Sequence, residues 1–455
     1  MLKKFLAIIL VLAIALCFTA CGEKNNIPEY ETQEFGISGF WAPYEISEES
    51  FQMYKDAGFN TLAMINHSLG NTSEEQFYLG SERTMKALET CKKVGLKAII
   101  NYNDWKAEQV EGAGYNSDTP FSKYDLYGEY KDIISGVHIC DEPKADSHIA
   151  LYSDKTLVDD FKKVYPNADY IVNLIPIHGA TYWGYDSFQD MLDVYGESFM
   201  SQFENPYISI DIYPFHTQVS DVDLYLATNH EMIAEKAKEY GAEKTFILQA
   251  STGNEFEEDL SEGDMRWQVY VALAFGADNL QYYCYSVPKG SSDRNYNYCI
   301  LNNDNTPSKL YNYVQEINNE IQSFASAFLA YDWDEAIGIV GAEETTFRLS
   351  SQSYDENFDY KEFKDVTHYV SAAASHDLLI SQFTSDTYGE AYMLVNYADR
   401  SDTNTVTATF KDCDAVAIYG GDDYSGTPKI VELDAEGKFT LELAYGEGVF
   451  VTPIA

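Results

Sequence analysis

From residue 36 to about residue 330, short apolar runs alternate with longer segments in which apolar residues recur every three or four positions. Eight rounds can be counted, with strands predicted at Gly36–Trp41, Thr61–Asn66, Lys97–Tyr102, Gly136–Cys140, Tyr170–Leu174, Tyr207–Tyr213, Thr245–Gln249 and Asn279–Tyr285. Runs with so little polar alternation belong to strands covered on both faces, as in a parallel sheet wrapped by helices. The segments between them carry helix signals. Ser73-x-x-Gln76 reads as a capping box ahead of Phe77, and Thr306-Pro307 as a cap and first-turn proline ahead of the eighth helix. In that helix Leu310, Val314, Ile317, Ile321, Phe324 and Phe328 form one stripe, while Gly58, Gly95 and Gly241 stop earlier helices just before the next strand. Eight consecutive units of this size predict a (β/α)8 TIM barrel. A doubly wound open sheet is the alternative, but no Gly-x-Gly-x-x-Gly follows the first strand.

Beyond about residue 331 the helical period disappears. Strands are expected at Ile337–Gly341, Leu378–Phe383, Ala391–Asn396, Thr405–Phe410, Ala415–Tyr419, Lys429–Leu433, Lys438–Leu443 and Gly448–Thr452, alternating apolar and polar residues between turns such as Gly420-Gly421 and Glu436-Gly437. That pattern predicts an antiparallel β-sandwich over residues 331–455, with a long loop at the start of the polar stretch from Glu343 to Val366.

The N-terminus changes the expected compartment. Lys3 and Lys4 precede an apolar run from Phe5 to Leu16 and then Phe18-Thr19-Ala20-Cys21. The run is shorter than the roughly 20 residues that span a bilayer and reads as an export signal. Small residues before a Cys resemble the lipobox of bacterial lipoproteins, with Phe18 where Leu is usual. The resemblance implies a signal peptide over residues 1–21, lipidation of Cys21, a polar tether over residues 22–35 and a barrel over residues 36–330 held at a membrane surface.

Composition then narrows the partners. A formal charge of −43 argues against nucleic acid and anionic membrane faces, because like charges would have to be brought together. Aromatic residues make up 15% of the chain, led by 37 Tyr, and their flat faces with polar edges suit stacking on sugar rings as well as packing cores. Outside the signal and lipobox the cysteines are Cys91, Cys140, Cys284, Cys299 and Cys413, an odd and scattered set that reads as buried thiols rather than a disulfide framework. Neither their spacing nor that of the histidines suits zinc, and no metal or organic cofactor is implied.

In a closed barrel the C-terminal strand ends share one pocket. That rule selects Trp41, Asn66, His67, Asn101, Asp104, Asp141, Glu142, Asn173, Asp211, Tyr213, Gln249, Tyr283 and Tyr285. Glycosidic hydrolysis needs two carboxyls, one protonated to assist the leaving oxygen and one ionised to attack or activate water. The fourth strand abruptly delivers Asp141 and Glu142, and burial of such a pair would raise one pKa as a proton donor requires. Capping of the fourth helix would explain the same two residues. Trp41, Tyr213, Tyr283 and Tyr285 are placed as a sugar platform, with Asn101 and Gln249 as hydroxyl partners; His67, His178 and His216 fall near the same face.

Asp141-Glu142-Pro143, Asp211-Ile212-Tyr213-Pro214, Met265-Arg266-Trp267-Gln268 leading to Ala274-Phe275-Gly276-Ala277, and Gly446-Glu447-Gly448-Val449-Phe450 together resemble glycoside hydrolases of the retaining β/α-barrel clan. The likeness is to beta-galactosidase-like members with a C-terminal β-sandwich and extends over residues 36 to 455. It implies that Glu142 is the acid/base, with Asp141 where the family usually has Asn. The family's nucleophile is a Glu at the end of strand seven, where this chain has Gln249, and a neutral amide cannot attack an anomeric carbon. Asp211 could supply the second carboxylate, a loop acid such as Glu255 could do so, or the site could bind sugar without cleaving it. Asp211 is preferred as a strand-end acid of the same ring, its other roles being to bind hydroxyls or hold Arg266.

The expectation is a surface-anchored glycoside hydrolase acting on a neutral oligo- or polysaccharide. Its rivals are a non-catalytic glycan-binding lipoprotein and a barrel that merely presents its sandwich domain to a surface.

Overall fold

The computed structural model describes residues 27–41, 43–64, 77, 81–101, 127–145, 155–217, 226–288, 295–342, 362–398, 400, 402–421 and 426–454. Strands β1 (Gly36–Gly39), β2 (Thr61–Ala63), β3 (Lys97–Asn101), β4 (Ile134–Asp141), β5 (Asp169–Leu174), β6 (Tyr207–Asp211), β7 (Glu243–Gln249) and β8 (Asn279–Tyr283) close into a parallel barrel in chain order. The ring shuts where Gly36 to Gly39 pair with Asn279 to Tyr282. Around it lie α1 (Glu48–Asp56), α2 (Glu82–Val94), α3 (Lys155–Val164), α4 (Ile177–Ala180), α5 (Phe188–Ser198), α6 (Leu226–Tyr240), α7 (Glu262–Ala274) and α8 (Lys309–Phe328). All eight expected strands are present, and the doubly wound alternative is excluded by the closure.

Local chemistry explains how the elements meet. Gly95 adopts φ +79 as the left-handed stop of α2, a conformation costly for residues with a Cβ. The Tyr54 hydroxyl accepts from Gly39 N at 2.7 Å and donates to Thr61 O at 2.8 Å, pinning α1 to the ends of two strands. All six residues of the α8 stripe are buried. Beside the stripe Asn318 accepts from the Tyr282 hydroxyl at 2.9 Å and donates to Ala57 O at 2.9 Å, so a polar residue in the packing layer has both ends satisfied. Two caps differ from expectation: α2 is capped by Ser81, Ser73 and Gln76 lying outside the described residues, and α8 by Ser308, whose hydroxyl accepts from Leu310 N, rather than by Thr306.

After the barrel come β9 (Asp332–Ile339), β10 (Tyr369–Ala374), β11 (Leu378–Ser385), β12 (Gly389–Asn396), β13 (Asn404–Phe410), β14 (Ala415–Tyr419), β15 (Lys429–Glu432), β16 (Lys438–Leu443) and β17 (Gly448–Ile454). They form a six-stranded sheet, β15-β14-β17-β12-β11-β9, against a three-stranded one, β10-β13-β16. Polar alternation was expected throughout, but the central strands of the larger sheet, β11, β12, β14 and β17, are buried along most of their length on both faces. Along β12, Ala391, Met393 and Val395 join the core shared with the barrel helices, while Tyr392 and Leu394 face the smaller sheet. The barrel and sandwich therefore share one apolar layer, and removing residues 331–455 would strip it from α7 and α8.

The junction is also fixed by charge. Asp264, in the Ser261 capping box of α7, accepts from Arg400 Nε at 2.8 Å and the Tyr445 hydroxyl at 3.0 Å. Arg266 pairs with Glu320 and Glu262. It is not held by Asp211, which corrects that alternative. Among the described residues, no helix is long and apolar enough to cross a membrane.

Candidate active site

The chain bends sharply where β4 ends. The pairing with β5 shifts register between His138 and Cys140, and Glu142 follows Asp141 with φ +46, a left-handed conformation uncommon for a non-glycine residue. The turn is held by Glu142 N donating to Asn173 O at 2.9 Å. Strain of this kind concentrates at functional positions.

Asn173, at the end of β5, organises the centre. Its Nδ2 donates to Asp141 Oδ1 at 3.0 Å and to Asp211 Oδ1 at 2.9 Å, and its Oδ1 accepts from the Ser209 hydroxyl at 3.2 Å. One amide nitrogen thus ties the acids of β4 and β6 together, and their nearest oxygens cannot be farther apart than the two bonds laid end to end. Asp211 is 7% exposed. Burial, then the negative charge of Asp141, push its carboxyl up to about 7, against the hydrogen bonds from Asn173 and Tyr213 that favour the anion. Asp141 is exposed and Glu142 half-buried. Asp211, a strand-end acid of the same ring as expected, is thus more deeply buried than the two acids that solvent reaches.

Tyr213 marks where the three acids meet. Burial pushes its hydroxyl well above the ordinary range, and the charges of Asp211, Tyr283, Asp141 and Glu142 add to it. Its ring lies 5.0 Å from that of Tyr283, tilted by 30°, and Trp41 meets Tyr283 edge-on at 6.3 Å. The Tyr283 hydroxyl in turn bonds that of Tyr296 at 2.9 Å. This makes an aromatic wall beside the carboxylates, with Trp41 itself at φ +60.

The remaining expected residues divide. Asn101 ends β3, buried and opposite His138. Gln249 is fully buried, and its amide is spent on the protein: Oε1 accepts from Phe215 N at 2.9 Å, and Nε2 donates to Phe215 O and Ser251 O at 3.3 and 3.2 Å. The expected hydroxyl partner is thus a brace for the chain after β6. Tyr285 is likewise corrected, since it packs on Tyr54 and Phe59 at 4.8 and 5.6 Å behind the barrel wall. Glu255 lies 3.8 Å from His216, and the protein surrounding the His178 ring, then the charge of His216, lower the pKa of His178. Asn66, His67 and Asp104 lie outside the described residues.

Three residues had no role in the sequence reading. Asn173 was visible only as a strand-end amide, and its bridging needs two other strands. Tyr296 lies in the β8–α8 segment, where no periodicity places it. His138 lies one step inside the barrel, edge-on to Phe40 at 6.3 Å, with Nε2 buried and without a hydrogen-bond partner. Among the described residues, no group of three or more His, Cys, Asp or Glu could hold a metal ion.

No protein-family model matches the chain, and no curated protein sequence does. Among solved structures, Gan42B, a GH42 beta-galactosidase, aligns with TM-score 0.58 and 9% identity over 94% of this chain and 100% of that one. A second, described as a glycoside hydrolase, aligns with TM-score 0.52 and 12% identity over 94% of each chain. At these identities the likeness concerns the fold, which is a (β/α)8 TIM barrel followed by an antiparallel β-sandwich.

Proposed function

We propose that this chain is a glycoside hydrolase that cleaves a neutral glycan outside the cytoplasm, anchored through a lipid on Cys21. The observation carrying the catalytic part is the Asp141–Asn173–Asp211 bridge beside the Tyr213–Tyr283–Trp41 wall, with Glu142 on the strained turn next to it. Glu142 donates its proton to the glycosidic oxygen as the C–O bond breaks and its electron pair goes to the leaving group. Asp141 supplies the exposed carboxylate, which takes a proton from a water molecule as the water oxygen bonds to the anomeric carbon, so that the new hydroxyl comes from water. Asp211 acts through Asn173 as a positioning residue that also stores a proton near neutral pH. The aromatic wall offers the sugar a flat apolar face.

Glu142→Gln is expected to lower hydrolysis of a cleaved glycan by about 10²–10⁴-fold while leaving its affinity nearly unchanged. Turnover equal to that of the unaltered chain would remove Glu142 from the mechanism. One observation favours a second reading, a glycan-binding lipoprotein without turnover: the end of β7 carries an amide wholly engaged in bracing the backbone. Calorimetric binding of a glycan, with no product from a broad panel of aryl glycosides and polysaccharides, would select it.

A further inference from the structure

Cys284 and Cys299, fifteen positions apart on a chain whose other described cysteines are scattered, have sulfurs 3.3 Å from each other. Cys284 follows β8 directly, and Cys299 lies in the segment leading to α8. The backbone holds them in register: Ile300 N donates to Cys284 O at 3.3 Å and Leu301 N to Tyr285 O at 2.8 Å, while the Ser308 hydroxyl donates to Cys299 O at 2.6 Å. Both side chains are fully buried in the apolar cluster under the aromatic wall, with Phe40, Trp41, Ile247, Phe256, Val287 and Tyr296. A disulfide needs its sulfurs at about 2.05 Å, so an approach of roughly 1.2 Å along two side chains already facing each other suffices.

We propose that Cys284 and Cys299 are a cross-link site, oxidised in the exported protein to a disulfide that ties the Tyr296 segment to the barrel. This rests on the export reading and is independent of the glycosidase reading, since disulfides persist in oxidising compartments whether or not the barrel is catalytic. The oxidant is an external disulfide, RS–SR. One cysteine thiolate attacks it, releasing RSH. The second cysteine then displaces the other RS group as a second RSH, so that two thiols are oxidised, one disulfide is reduced and the two protons leave on the products. Because the native cluster seals both sulfurs, exchange precedes the packing of this segment. The product fixes the Tyr296 hydroxyl against Tyr283 and so stiffens one side of the sugar platform.

The test uses the full chain, purified from the membrane fraction of an exporting host and, separately, refolded with oxidised glutathione. Each is unfolded in guanidinium with an alkylating reagent and no reductant, then digested and weighed. A cross-linked peptide containing 284 and 299, with Cys91, Cys140 and Cys413 alkylated, is the expected result. Alkylation of both Cys284 and Cys299 after glutathione refolding, or either one linked elsewhere, would overturn the proposal. Melting gives a second readout that needs no mutant to fold. Reduction should lower the Tm of the unaltered chain by on the order of 5 °C, given a closed loop of about 15 residues. Equal melting of the oxidised and reduced forms would count against the tie.

Discussion

The two ends of the barrel make the same kind of electrostatic demand and answer it differently. At the floor, where the strands begin, burial and the charge of Glu243 push Asp169 up to about 8 while Lys97 opposes the shift. Glu243 is itself raised by burial and Asp278, and Asn279, Lys244 and Lys97 pull it back. At the mouth the groups acting on Asp211 are a second carboxylate, an amide and a phenol. Ile99, Ile171 and Tyr207 plug the floor side of the barrel, and Gly136 makes room for them, since a Cβ there would lie 2.7 Å from Ile171 Cδ1. A raised carboxyl therefore does not identify a site by itself. The mouth adds an exposed acid, a strained turn and an aromatic wall, and the floor has lysines that make its cluster a charge-balanced seal.

The largest effect should separate the two ends directly. Asp141→Asn removes the exposed carboxylate of the mouth and is expected to cut kcat/KM by about 10²–10⁴-fold on a cleaved glycan. Asp169→Asn replaces a carboxyl that burial and Glu243 push up to about 8 at the floor, and should leave kcat/KM within about two-fold, because that end of a barrel serves stability. Steady-state kinetics on the paired variants would reverse the assignment if Asp169→Asn were the damaging change.

A smaller loss is expected from Asn173→Ala. A hydrogen bond to a charged group contributes about 1.5–3 kcal/mol, so removing the shared donor should lower kcat/KM by roughly 10–100-fold. The variant should also move the pH dependence to higher pH, since Asn173 is one of the groups that lower Asp211. A purely structural asparagine would change Tm without moving the pH profile, and that pattern would detach it from the site.

Much of the fold was legible because burial on both faces leaves a continuous apolar run, and the eight strands β1 to β8 carry such runs. The same cue is present in the sandwich, where the expected alternation hid it. The β12 run Ala391-Tyr392-Met393-Leu394-Val395 is apolar at every position, but it reads with the alternating strands around it, and the barrel helices that cover its second face lie far away along the chain. Strand β10 was not foreseen because Ser371-Ala372-Ala373-Ala374 lacks β-branched residues, and four of its six positions are exposed or half-exposed at a sheet edge. In the site, strand ends located Asp141, Glu142 and Asp211, since position along a barrel strand fixes which end a residue faces. Depth was not legible: whether Asp211 or Asp141 meets solvent depends on the β4 register shift and on Asn173. The engagement of Gln249 with Phe215 and the meeting of Cys284 with Cys299 are contacts of strand ends with loops, which no period encodes.

The smallest effect concerns stability and sharpens the comparison most finely. A carboxyl with an ordinary value of 3.8 that is raised to about 7 on folding keeps its proton in the native state at pH values where the unfolded chain has lost it. Its contribution is fully present below about pH 4 and is lost as pH rises towards 7, the direction opposite to that of a salt-bridged carboxylate. Asp211→Asn cannot ionise, so its stability relative to the unaltered chain should grow across that window and level off above it. Asp169 titrates in both chains and cancels from the difference. Thermal melts at about pH 4.5, 6 and 8 should therefore show the gap moving in favour of the variant by on the order of 2 kcal/mol. Parallel curves would mean that Asp211 ionises like an exposed acid. In that case the mouth would hold no stored proton, and the electrostatic likeness between the two ends of the barrel would disappear.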